Sequence, residues 1–138
     1  MREGIYFYAN EVMPLTAAEH SRQAPVSLEE NLKKATTELL ILQLLSKKEY
    51  YIGELSAALH DQSGGTLAIV FPYAAIYRLL EAGYIMELPR RIAPDGRRRQ
   101  YFAITKTGVA YLQQLREIYT AFSAGVAQIL ENGVTTDE

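Results

Sequence analysis

The chain has no cysteine and no tryptophan among its 138 residues, and only two histidines. Without cysteine there is no disulfide framework, no thiolate metal site and no cysteine nucleophile, a usage that suits a reducing compartment. His20 and His60 lie far apart with no paired ligand at the spacing that zinc sites require. No apolar run approaches the ~20 residues that span a bilayer. Met1 is followed by neither a basic n-region nor a signal-type apolar segment. A soluble, cytoplasmic protein without membrane contact is expected. The chain also lacks an activated nucleophile, a phosphate-binding glycine loop and paired carboxylates beside a histidine, so neither an enzyme nor a cofactor is expected.

Net charge is small, −2, but it is unevenly spread. Between Val70 and Lys106 seven Lys or Arg face three acids, a local +4, while seven against thirteen leave −6 on the remainder. One basic face on an acidic body is the pattern of a chain that meets a polyanion. The centre of that region is Gly96-Arg97-Arg98-Arg99-Gln100-Tyr101-Phe102-Ala103-Ile104-Thr105. Adjacent strand residues point to opposite faces, so a hairpin carrying three consecutive arginines presents part of the set to solvent or to phosphate.

At this length about two-thirds of the unfolded surface can be buried, enough for one core plus a terminal element. Residues 1–26 read as an N-terminal arm interrupted by Pro14 and Pro25, with an aromatic patch at Ile5-Tyr6-Phe7-Tyr8 and a short helix after Thr16. Ser27-Leu28-Glu29-Glu30 has capping-box spacing and opens a helix to about residue 46. Its stripe is Leu28, Leu32, Ala35, Leu39, Leu42 and Leu45, widened by Leu40, Ile41 and Leu44 until two sides must be covered. An extended segment at 49–52 and a brief helix at 53–60 lead to the turn Ser63-Gly64-Gly65.

The next helix runs from Pro72, suited to a first turn, to Gly83, suited to a C-terminal cap. Pro72, Ile76, Leu79 and Leu80 share the inward face, which leaves Tyr73, Ala74, Tyr77, Arg78 and Glu81 outward. Hydroxyls and a guanidinium so placed can meet phosphates or base edges. A strand at 84–91, the turn Ala93-Pro94-Asp95-Gly96 and a return strand at 98–104 complete the hairpin. Helix, turn, helix, then hairpin is a winged helix-turn-helix. The fold class is mainly α with a small β-hairpin, and the winged domain spans 27–105. Behind a Thr105 cap, a long helix at 106–132 carries Leu112, Leu115, Tyr119, Phe122, Val126 and Ile129 at coiled-coil spacing, a dimerisation seam longer than a small winged core covers. A tail at 133–138 follows.

These residues carry a family resemblance. Glu38-Leu39-Leu40-Ile41-Leu42-Gln43-Leu44-Leu45, Tyr51 to Leu55, Tyr73, the run Tyr77-Arg78-Leu79-Leu80-Glu81-Ala82-Gly83-Tyr84-Ile85, and the wing through Ile104-Thr105 and Gly108 together resemble the PadR family of bacterial transcriptional regulators. The likeness covers about residues 31–115 and is most specific in the wing. It implies the shorter family type, whose single C-terminal helix mediates dimerisation, and repression rather than activation. Two places depart from the family pattern. The usual Ser-Pro-Gly-Thr-Leu-Tyr-Pro start of the recognition helix is here Ile69-Val70-Phe71-Pro72-Tyr73-Ala74, and the usual Tyr-Gly-Tyr-Glu is Tyr51-Ile52-Gly53-Glu54. The absent tryptophan removes the stacked-tryptophan drug pocket of some relatives. The expected DNA-binding set is Tyr51, Tyr73, Ala74, Tyr77, Arg78, Arg97, Arg98 and Arg99. The expected partners are double-stranded DNA read as an inverted repeat, a second copy of the chain, and, as an open possibility, a small hydrophobic or aromatic effector. A winged-helix module that binds protein instead of DNA is the alternative.

Overall fold

The computed structural model describes residues 17–68 and 73–134, with side chains from residue 27 to residue 132. Among the described residues, four helices and five short strands follow in the order α1 (Ala17–Leu45), β1 (Tyr50–Tyr51), α2 (Ile52–Gln62), α3 (Tyr73–Glu81), β2 (Ile85–Glu87), β3 (Arg91–Ile92), β4 (Arg98–Arg99), β5 (Tyr101–Ile104) and α4 (Lys106–Val134). The chain is thus mainly helical with a small antiparallel sheet and a long C-terminal helix, as its sequence predicts. It divides into two compact units, Met1–Lys34 and Ala35–Glu138. The aromatic patch at residues 5–8 lies outside the described residues, as does Pro72.

The first unit corrects one expectation. The helix anticipated after Thr16 and the one anticipated at Ser27 are a single α1, which continues through Pro25. An internal proline forgoes one backbone hydrogen bond, a local loss that the good helix formers on both sides of it tolerate. Leu28 and Leu32, placed on the apolar stripe, are exposed.

In the second unit the apolar periodicity does what its width demands. Ile41, Leu42, Leu44 and Leu45 of α1 are buried together with Leu55 and Leu59 of α2, Ala75, Ile76 and Leu79 of α3, Ile85, Phe102 and Leu112. With Tyr50 of β1, thirteen buried side chains among the described residues make one core, and Ile41, Leu42, Leu55 and Leu79 are its most enclosed large members. Burial of each such aliphatic side chain is worth about 1.5–3 kcal/mol.

The end of α3 is a Schellman cap. Gly83 takes a positive φ of 79°, and with that turn the Tyr84 amide donates to the Leu79 carbonyl at 2.9 Å and the Gly83 amide to Leu80 at 3.0 Å. Thr105 then ties three elements together. Its amide donates to the Tyr84 carbonyl at 3.0 Å. Its hydroxyl donates to the Gly83 carbonyl at 2.7 Å and accepts from the Gly108 amide at 3.0 Å, capping α4. Gly108 is buried where α4 presses against the Tyr84 carbonyl.

Candidate nucleic-acid interface

The hairpin is divided. Instead of two continuous strands, β1, β5 and β2 form one antiparallel sheet in the order β1-β5-β2, while β3 and β4 pair separately. Glu87 lies opposite Phe102, but Arg91 lies opposite Arg99, so the register steps by one residue between the two ladders. The reason is chemical. Pro89 has no N–H to donate to a ladder, and Gln100 turns its side-chain amide onto the Leu88 carbonyl. The break re-aims the outer half of the hairpin, as a bulge does.

Strand alternation then sorts the aromatic and basic residues by face. Tyr50 and Phe102, in register with each other, are buried in the core. Tyr51 and Tyr101, the next pair, lie on the other face and meet edge to face with centroids 5.5 Å apart. The Arg91 guanidinium stacks 3.6 Å from the Tyr101 centroid, and that of Arg99 stands 5.0 Å from Tyr51. Each of these arginines also holds an acid: Arg91 with Glu49 at 2.7 Å and Arg99 with Asp95 at 2.5 Å. The Glu49 bond keeps Arg91 protonated above its ordinary value, and the Asp95 bond does the same for Arg99. The Arg99 guanidinium and the Arg97 amide hold the Asp95 carboxyl below its usual value.

Arg98 lies opposite Ile92, on the face away from that stack. Arg90, Arg97 and Arg98 are all exposed. None of the three has an ion-pair partner among the described residues. The three-arginine run is therefore not three equivalent cations. Arg97 and Arg98, without ion-pair partners among the described residues, precede one that its turn neutralises, and Arg90 joins them from the opposite strand. Arg90 was absent from the sequence-derived set. Its signal was the hairpin register, which only the break at Pro89 and Gln100 defines.

On α3, Tyr73, Ala74, Tyr77 and Arg78 are all exposed, while Ala75, Ile76 and Leu79 turn inward. Tyr73 also lines a cleft of about 450 Å³ shared with Tyr51, Arg90, Arg98 and Arg99. The structure thus brings Tyr51, Tyr73, Arg98 and Arg99 to one concave surface. Ala74, Tyr77 and Arg97 stand outside it. Arg78 occupies the flank of α3 nearest α1, where its Nε donates to Glu38 at 2.5 Å. Glu38 lies in the run Glu38 to Leu45, where sequence alone marks only its apolar neighbours.

The C-terminal seam also divides. Leu112 is only 5% exposed and belongs to the chain's own core, against which Leu115 and Tyr111 also pack. Tyr111 stacks on Tyr84 at 4.1 Å, and burial, with the Glu38 charge second, raises its phenol above the usual value. Past Arg116, whose guanidinium reaches Gln43 of α1 at 3.4 Å, the apolar positions Ile118, Tyr119, Phe122, Val126, Ile129 and Leu130 are exposed.

No family model and no curated protein matches the chain. Solved structures do. A transcriptional regulator from Streptococcus is 26% identical with a TM-score of 0.61, over 71% of this chain and 95% of that one. A PadR-like transcriptional regulator from Bacillus cereus is 24% identical with a TM-score of 0.62, over 72% and 96% of the two chains. A PadR family transcriptional regulator from Eggerthella lenta is 21% identical with a TM-score of 0.67, over 82% and 97%.

Proposed function

On the fold that it shares with PadR-family transcriptional regulators, we propose that this chain is itself a regulator of that family: a homodimer that binds an inverted-repeat operator and represses transcription. The observation that carries the reading is the cleft where Tyr73 of α3 meets Arg90 and Arg98 of the hairpin. A polyanion that follows α3 meets the free cations of the wing without breaking any ion pair. Tyr73 and Tyr77 present hydroxyls to the major groove or its phosphates, and Arg90, Arg97 and Arg98 take the backbone beside it. Arg91 and Arg99 serve instead as stiffeners of the wing.

Dimerisation rests on α4. At 29 residues the helix is about 43 Å long. Its distal apolar side chains have no cover within the described chain, and a second copy of the same seam supplies it. Two recognition helices held about one helical turn (~34 Å) apart then read the two half-sites. An effector of small hydrophobic or aromatic type would act by favouring a dimer with mismatched helix spacing, in proportion to its differential affinity for that state.

The test begins with duplexes that the full chain retains from fragmented bacterial DNA. On a retained duplex, replacing Arg90, Arg97 and Arg98 together by alanine lowers the slope of log affinity against log salt by up to about 3 for each bound subunit. Replacing Arg91 and Arg99 leaves the slope closer to the parent's. An unchanged slope in the triple variant removes these arginines from the interface. Retention of no duplex at all points to the protein-binding alternative.

A further inference from the structure

Arg78 and Glu38 form a contact outside both the core cluster and the wing. The pair joins α3 to α1 across forty residues of sequence, through the arginine Nε alone, at 2.5 Å. The Arg78 side chain stays 60% exposed, whereas Glu38 is 25% exposed. Glu38 is therefore the anchored member, and Arg78 is the member that looks outward.

A guanidinium is planar and rigid, with its five donors in a fixed fork. A carboxylate on Nε takes up one edge and fixes the plane of the group. The end-on edge, Nη1 with Nη2, has no partner among the described residues, and it is the edge whose two parallel N–H donors match the O6 and N7 acceptors of guanine in the major groove. The acid also offsets part of the positive field around the arginine. A fork that is already orientated and partly countered is better suited to a contact that depends on direction than to holding a phosphate as a point charge.

We propose that Arg78 reads a guanine in each half-site and that Glu38 is the positioning residue that presents its fork. The inference rests on the DNA-binding reading above and adds the base class and the residue that sets it. Ordering a long side chain before binding saves about 0.5–1.5 kcal/mol, so loss of Glu38 alone corresponds to about a 2- to 12-fold loss on the specific duplex. Loss of the bidentate contact itself corresponds to about 5- to 150-fold.

The decisive probe is a retained duplex in which each guanine in turn is replaced by 7-deazaguanine, which lacks the N7 acceptor but still pairs with cytosine. The parent protein is expected to lose about fivefold or more at one guanine per half-site. Arg78→Ala and Arg78→Lys should lose that sensitivity and Glu38→Ala should show it weakened, while affinity for a scrambled duplex stays level or, for Glu38→Ala, rises as an acid leaves the surface. Glu38→Gln keeps an oxygen acceptor for Nε and should keep the parental 7-deazaguanine profile, a rescue that a purely electrostatic role would not show. Thermal melts of all four variants report whether the fold is intact.

A Glu38→Ala protein that keeps the parental 7-deazaguanine profile overturns the proposal. So does an equal loss on specific and scrambled duplexes, which would make the pair a strut between helices. A parent with no sensitive guanine overturns it while leaving DNA binding in place, whereas a parent that retains no duplex removes the reading on which it rests.

Discussion

Gly108→Ala offers the sharpest test of how the wing, α3 and α4 are joined. A Cβ built at Gly108 stands 2.0 Å from the Tyr84 carbonyl oxygen and 2.8 Å from Ile104 Cγ1. The oxygen is backbone and already accepts the Thr105 amide at 3.0 Å, so it cannot rotate aside as a side chain would. Relief needs a shift of more than 1 Å between α4 and the segment after Gly83, at the expense of the Thr105 bonds that cap α4. Overpacking of this kind costs about 1–3 kcal/mol, and a weakened cap adds about 1. Alanine returns up to about 1 kcal/mol in helix propensity. The net expectation is about 1–3 kcal/mol of destabilisation, a fall in Tm of several degrees for a chain of this size. Gly125, also within α4, is the control, because a Cβ there meets nothing within 4 Å. Gly125→Ala should therefore raise stability by about 0.5–1 kcal/mol. Calorimetry of the two variants beside the parent asks for opposite signs from the same chemical change. A Gly108→Ala protein that melts at or above the parent temperature refutes the close approach.

Two other perturbations probe the seam and the wing. Phe122→Asp with Val126→Asp places carboxylates on the exposed apolar face of α4; burying them unpaired between two copies in the proposed dimer costs several kcal/mol, so sedimentation analysis should show monomers and affinity for a retained duplex should collapse with them. A double variant that remains dimeric would place the subunit contact elsewhere. Asp95 is held below its ordinary carboxylate value of 3.8, first by Arg99, so its support of the wing turn is full above that value and fades as pH falls through the lower folded value. The carboxyl resonance of Asp95 followed by NMR should titrate below that of an unpaired aspartate, and Arg99→Ala should bring it back toward normal.

Much was legible in the residues because the strong local signals are periodic or steric. Ile76 and Leu79 must turn inward if 73–81 is a helix, and Tyr73, Tyr77 and Arg78 must then turn outward. Gly83 and Thr105 announced a helix end and a helix start through backbone chemistry that few other residues supply. The C-terminal helix and its apolar seam followed from spacing alone. Helix continuity across Pro25 was not legible, since a proline signals a boundary more often than it is tolerated inside one.

Tertiary structure decided which charges are free and which seam positions are already spent. Three adjacent arginines look alike in sequence. Asp95 folds back on Arg99, and Glu49 reaches Arg91 from forty-two residues away, so the hairpin arginines without an ion-pair partner among the described residues are Arg90, Arg97 and Arg98. Leu112 and Phe122 lie on the same apolar seam, yet one is enclosed in the core and the other is 67% exposed. Local periodicity is set by bond geometry within a few residues. Pairing and burial depend on what long-range packing brings alongside, and a single sequence does not list its own neighbours in space.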